Sequence, residues 1–164
     1  MDRQEQIEIL LDHYEHPRRR HALPDADVVM PGGNPGCGDV ITIYLDVDED
    51  EKSVKDVSFE GEGCTISQAA ASILMELIDD EKWDLDDIVE SDYNTMIVIL
   101  GKEAVQMRPR CATLALGTLK AAVKKYRRDK MREAAGLTDE DEQDDDAEKY
   151  GIVTGEAALE RTDQ

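Results

Sequence analysis

The sequence is poor in aromatic side chains, with one Phe, one Trp and five Tyr among 164 residues. A core must therefore be built mainly from Ile, Leu, Val, Ala and Met, within the 40% of residues that are apolar. No apolar run approaches bilayer length, which excludes a helical membrane span. The charged, amphipathic opening MDRQEQIEIL lacks the apolar stretch of a signal peptide. Basic residues are scarce: 19 Lys and Arg face 39 Asp and Glu, for a formal net charge of −20. That excludes a nucleic-acid binder and an anionic membrane surface, both of which need clustered cations. The acidic excess reads as a solvated shell, as in a halophilic protein working in high salt that screens self-repulsion. It carries no catalytic information. The expected location is the cytoplasm, where the three cysteines stay reduced. There is no C-x-x-C pair, Walker loop, G-x-G-x-x-G fingerprint or Ser-His-Asp order.

The length suits one domain with a real core. Residues 2–16 predict a helix, with Ile7, Leu10, Leu11 and Tyr14 at helical spacing and Pro17 as its stop. The stretch 40–47, VITIYLDV, alternates and predicts a strand, as does 53–61 with Val54, Val57 and Phe59. A short extended piece around Val28 to Met30 joins them in a small antiparallel sheet. After Gly63 the Ala- and Leu-rich run TISQAAASILMELIDD predicts a helix of roughly 12–15 residues. Asp84 is a candidate cap for one or two further turns. NTMIVILGKEAVQM reads as either a strand or a short helix capped by Asn94 and ended by Gly101. RPRC reads as a loop. A long helix follows, with Leu114, Leu119, Val123 and Tyr126 on one face and basic residues toward its C-terminal half. The domain is expected to end at 135. Residues 136–164 form an acidic tail, expected to be disordered, whose GIVTGEAALERTDQ end could be a short helix or strand.

The chemistry-bearing residues are Cys37, Cys64 and Cys111, spaced 27 and 47 positions apart. Cys37 lies in the glycine-boxed turn NPGCGDV, Cys64 in GEGCTIS before a helix, and Cys111 in RPRCATL before another. Helix starts favour a thiolate, through exposed N–H groups and the dipole. Asp39, two positions after Cys37, can supply an oxygen. If the turn and the helix starts converge, three thiolates and one carboxylate suit a tetrahedral Zn²⁺ or a nascent iron–sulfur cluster. Arg108 and Arg110 flank Cys111 and are placed to offset the negative charge and lower the thiol pKa values. A carboxylate is a harder ligand than a fourth thiolate, so the set suits a metal that is exchanged. The spacing leaves another reading open, in which the cysteines are small core residues. The glycines beside Cys37 and Cys64, which allow close backbone approach, favour the metal.

NPGCGDVI, GEGCTISQAAAS and RCATLAL, in this order, resemble the U-type iron–sulfur cluster assembly scaffolds, the IscU, SufU and NifU N-terminal family. The resemblance covers roughly residues 5–130. It implies an α+β fold, a small antiparallel β-sheet with helices packed on one face. It implies that Cys37, Asp39, Cys64 and Cys111 bind zinc or a nascent [2Fe–2S] cluster. It also implies a cysteine desulfurase as sulfur donor and apo iron–sulfur proteins as acceptors. The wording of the second motif favours the SufU-like branch. Arg110 stands where IscU-like members have a histidine, and no LPPVK chaperone-binding segment is present. The 47-residue spacing lacks the insertion usual in SufU-like members. In that branch a desulfurase histidine displaces one zinc ligand, and the freed cysteine takes the sulfur. Cys37 is the candidate persulfide acceptor because glycines flank it, and Cys111 is the alternative.

His13 and His16, at i and i+3, together with His21, read as a solvated helix end with no assigned role, and Ser67 as a hydrogen-bond partner for helix N–H groups. Three function classes follow: a scaffold or zinc-dependent sulfur acceptor, rather than a stand-alone enzyme; a small zinc-stabilised interaction module; and a thiol enzyme using Cys64 or Cys111. The sequence leaves the oligomeric state open, a homo-oligomer included.

Overall fold

The computed structural model describes residues 2–34, 38–102, 106, 108–136 and 153–154. Helix α1 (Arg3–Glu15) starts at Asp2, whose side chain accepts the Glu5 N–H. Strands β1 (Val28–Asn34), β2 (Asp39–Val47) and β3 (Val54–Glu62) follow, all antiparallel. The expected extended piece at Val28 is thus a full partner strand. Helices α2 (Thr65–Glu81), α3 (Leu85–Glu90), α4 (Tyr93–Leu100) and α5 (Pro109–Ala135) complete the domain. A two-residue strand β4 (Val153–Thr154) pairs with Gly32 and Gly33 at the free edge of β1, giving the sheet order β3-β2-β1-β4. The disorder expected of the acidic run 138–150 falls outside the described residues.

One face of the sheet is buried. Ile41, Ile43 and Leu45 alternate inward along β2 with no exposed surface, and Phe59 of β3 joins them. Helices α2 and α5 pack over that face, and α1 packs on α2. Burying Phe59 alone contributes about 2–3 kcal/mol. Leu114, Leu119, Val123 and Tyr126 share the buried face of α5, as their spacing requires. α5 approaches β1 so closely that a Cβ on Gly32 would overlap the Thr118 side chain. Buried Lys120 donates to Ser91 O and lies 4.5 Å from the Tyr93 ring centre, joining α5 to the α3–α4 link. The fold is the expected α+β arrangement.

Four local expectations need correction. Of the two readings of 94–100, the short helix ended by Gly101 is the one found, but its cap is Asp92, which accepts the Asn94 N–H, while Asn94 itself is inside the helix. Helix α2 runs 17 residues, longer than expected. RPRC is no loop, since α5 begins at Pro109, whose missing N–H costs nothing at a first helical position. Finally, α1 buries Leu10 and His13, whereas Leu11 and Tyr14 are exposed. His13 is thus no solvated helix end. Its Nδ1 lies 2.7 Å from Ser72 Oγ on α2, and the same hydroxyl accepts the Arg18 N–H at 2.8 Å. Asp84 does cap α3, reciprocally with Asp87.

Candidate metal centre

The β1–β2 hairpin and the starts of α2 and α5 meet at one end of the sheet. Asp39 opens β2 opposite Asn34 and is 1% exposed. Its Oδ1 accepts the Cys64 backbone N–H at 2.8 Å, while Oδ2 lies 3.0 Å from Cys111 Sγ and 3.7 Å from Cys64 Sγ. One carboxylate therefore sits between two thiols that are 47 positions apart in the chain. The three ligand atoms lie within 4.8 Å of one another, the one such cluster among the described residues. Donor atoms around a single tetrahedral zinc are roughly 3.5–3.8 Å apart, given bond lengths near 2.0 and 2.3 Å. The 3.7 Å oxygen-to-sulfur distance falls within that spacing and the 3.0 Å one lies just below it, and a two-sulfur, one-oxygen set suits zinc or iron.

The two thiols occupy different surroundings. Cys64 is the N-cap of α2, is partly exposed, and has no side-chain capping bond. Cys111 lies in the first turn of α5 and is fully buried. Burial pushes the Cys111 thiol pKa well up, and hydrogen bonding to Asp39 and then to Cys64 adds to the rise. This corrects the expected lowering at Cys111. Arg108 and Arg110 are exposed on the outer side of the helix start, and the buried thiol follows its desolvation and its acidic neighbours instead. Without a cation, Cys111 keeps its proton and donates it to Asp39 Oδ2. A metal ion entering the cluster would replace that proton.

Backbone geometry holds the carboxylate in place. Gly63 has φ +153, and a Cβ there would overlap Asp39 Oδ1. The glycine before Cys64 thus makes room for Asp39, a link that motif spacing alone did not reveal. Ser67 Oγ donates to Cys64 O at 3.0 Å and lies 3.7 Å from Cys64 Sγ. It serves a carbonyl rather than helix N–H groups. Cys37 lies outside the described residues. Its segment is bracketed by Asn34 and by Gly38, the latter at φ +70, both next to Asp39 in the hairpin. The histidines take no part in the cluster.

Residues 5–133 match the family model of the NifU-like N-terminal domain. The chain belongs to this family. It is 35% identical over 135 residues to the iron–sulfur cluster assembly scaffold protein IscU of Thermotoga maritima, covering 74% of this chain and 94% of that protein. It is 33% identical over 133 residues to the zinc-dependent sulfurtransferase SufU of Bacillus subtilis, covering 72% and 88%. Both branches of the family thus match at nearly equal identity. A crystal structure from Fervidobacterium islandicum, described as an iron–sulfur cluster assembly scaffold protein for the SUF system, superposes with a TM-score of 0.54. That match has 27% identity and covers 71% of this chain and 94% of that one. No helix among the described residues is long and apolar enough to cross a membrane.

Proposed function

We propose that this chain is an iron–sulfur assembly protein of the cytoplasm. It takes persulfide sulfur from a cysteine desulfurase, and it holds zinc, or a nascent [2Fe–2S] cluster as cargo, on Cys37, Asp39, Cys64 and Cys111. Apo iron–sulfur proteins are the acceptors. The observation that carries the reading is the Asp39 carboxylate, buried between Cys64 and Cys111 within metal-ligand spacing. The scaffold and sulfurtransferase names of the relatives support it.

Zinc, when bound, supplies positive charge that keeps the thiols deprotonated and nucleophilic. Asp39 fixes two sulfurs and, through Oδ1, the backbone at Cys64. Cys37 is the sulfur acceptor. Glycines flank it in sequence, whereas Cys111 has no exposed surface for an incoming donor. The Cys37 thiolate attacks the terminal sulfur of the desulfurase persulfide. A new S–S bond forms as the old one breaks, and the electron pair leaves on the desulfurase cysteine. Arg110, exposed at the start of α5, offsets charge on a site whose four ionised ligands exceed the charge of one divalent ion. A module merely held together by zinc is the second reading. It is disfavoured because apolar side chains of the sheet, α2 and α5 form a continuous core that does not depend on the ligands.

Anaerobic incubation of the chain with a cysteine desulfurase, cysteine and Fe²⁺, followed by mass spectrometry and absorbance, tests the proposal. A persulfide adduct absent from Cys37→Ser, or a stable cluster chromophore, supports it. Neither product, with metal binding intact, overturns it in favour of the interaction module.

A further inference from the structure

Gln68 lies in α2 one turn beyond Cys64, its backbone N–H donating to Cys64 O at 3.2 Å. The side chain is 6% exposed, and neither its Nε2 nor its Oε1 has a hydrogen-bond partner. Buried amides without partners are uncommon and destabilising. The nearby polar groups are committed elsewhere: the Ser67 hydroxyl to Cys64 O, and the Ser72 hydroxyl to His13 and Arg18. Ala69, Ala70 and Ala71, fully buried, carry no polar side-chain atom. Helical side chains lean toward the helix N-terminus, and residues four apart share a face. Gln68 therefore shares a face of α2 with Cys64, one turn away, and its side chain leans to that side.

We infer that Gln68 is a positioning residue for the metal centre, its side-chain amide donating a hydrogen bond to the Cys64 sulfur once that sulfur is a metal-bound thiolate. The inference rests on the metal reading above. A thiol already in contact with Asp39 has little use for a second donor. A metal-bound thiolate retains lone pairs and negative charge, and a neutral N–H donor stabilises both without adding charge to an anionic ligand set. The amide thus pairs with a metal-bound thiolate rather than with the thiol.

The test uses the full chain and its Gln68→Met variant, which keeps volume and removes both polar atoms. Zn²⁺ affinity is measured by competition with a chromophoric chelator. Melting temperature is measured with and without Zn²⁺, and the sulfur-to-metal charge-transfer band is recorded with Co²⁺. The metal-free variant is expected to melt higher than the parent, because a buried unpaired amide is gone. Its Zn²⁺ affinity is expected to fall about tenfold, the usual scale for a hydrogen bond to a metal ligand. Its charge-transfer band is expected to move to lower energy, since a thiolate without its donor gives up electrons more easily. Equal affinity and an unmoved band, with melting raised equally in both states, would leave the amide unpaired in both and overturn the inference alone. A parent chain that binds neither ion would overturn the metal reading and the inference together.

Discussion

Helix α2 makes two polar contacts of opposite character. At Ser72 one hydroxyl accepts the Arg18 N–H and meets His13 Nδ1, so a buried polar seam is closed within the protein. One to two turns earlier, Cys64 and Cys111 crowd a single carboxylate, and the Gln68 amide has no partner. The seam is closed within the protein, whereas at the other end two thiols share one carboxylate and the Gln68 amide is left unpaired. A structural role and a binding role thus leave different hydrogen-bond patterns on one helix.

The strongest way to break the contrast is Gly63→Ala. Its Cβ would overlap Asp39 Oδ1 in a backbone region that L side chains rarely adopt. Zn²⁺ affinity should fall at least about 100-fold and stability by about 2–3 kcal/mol, read by chelator competition and urea unfolding. Ser72→Ala attacks the seam instead. It leaves the Arg18 N–H and His13 without their shared partner, costing about 2 kcal/mol in urea while Zn²⁺ affinity stays unchanged. A fall in Zn²⁺ affinity in Ser72→Ala, or an unchanged affinity in Gly63→Ala, would erase the distinction.

A pH series sharpens the contrast further. Burial, with a smaller contribution from the Arg18 charge, holds the His13 pKa below its ordinary value of 6.5, against the opposing pull of Glu76 and Asp12. As pH falls, the unfolded chain takes up this proton first. The stability from neutral His13 is therefore whole above pH 6.5 and is lost as pH drops through that value toward the folded pKa. The melting temperature should fall between about pH 7.5 and 5.5, and less so in His13→Gln, which does not titrate there. The smallest effect belongs to a site remote from both regions: Asp84→Ala removes a reciprocal cap of α3 and should cost about 1 kcal/mol.

The features readable in the sequence were those set by local pattern. Alternation marked β2 and β3, composition marked α2 and α5, and three cysteine motifs, two of them glycine-flanked, pointed to Asp39, Cys64 and Cys111, which the structure brings to one place. What escaped depends on partners distant in the chain. The apolar spacing of α1 suggested Ile7, Leu10, Leu11 and Tyr14 as its buried face; of these Leu10 is buried, and His13 goes inside beside it to meet Ser72 of α2. The run 94–100 reads equally as strand or short helix until the cap at Asp92 is weighed. Gln68 looks like one polar residue in an alanine-rich helix; only packing shows its amide unpaired. The rise in the Cys111 pKa follows from depth below the surface, which flanking arginines in sequence cannot reveal.

The central claim is that one ion is gripped by Cys37, Asp39, Cys64 and Cys111 together. X-ray absorption at the zinc edge of the Zn²⁺-loaded full chain tests it most directly. The expected first shell has three sulfurs at about 2.3 Å and one oxygen at about 2.0 Å, dropping to two sulfurs in Cys37→Ser. A shell of oxygen and nitrogen alone, or a sulfur count unchanged by Cys37→Ser, would contradict the account.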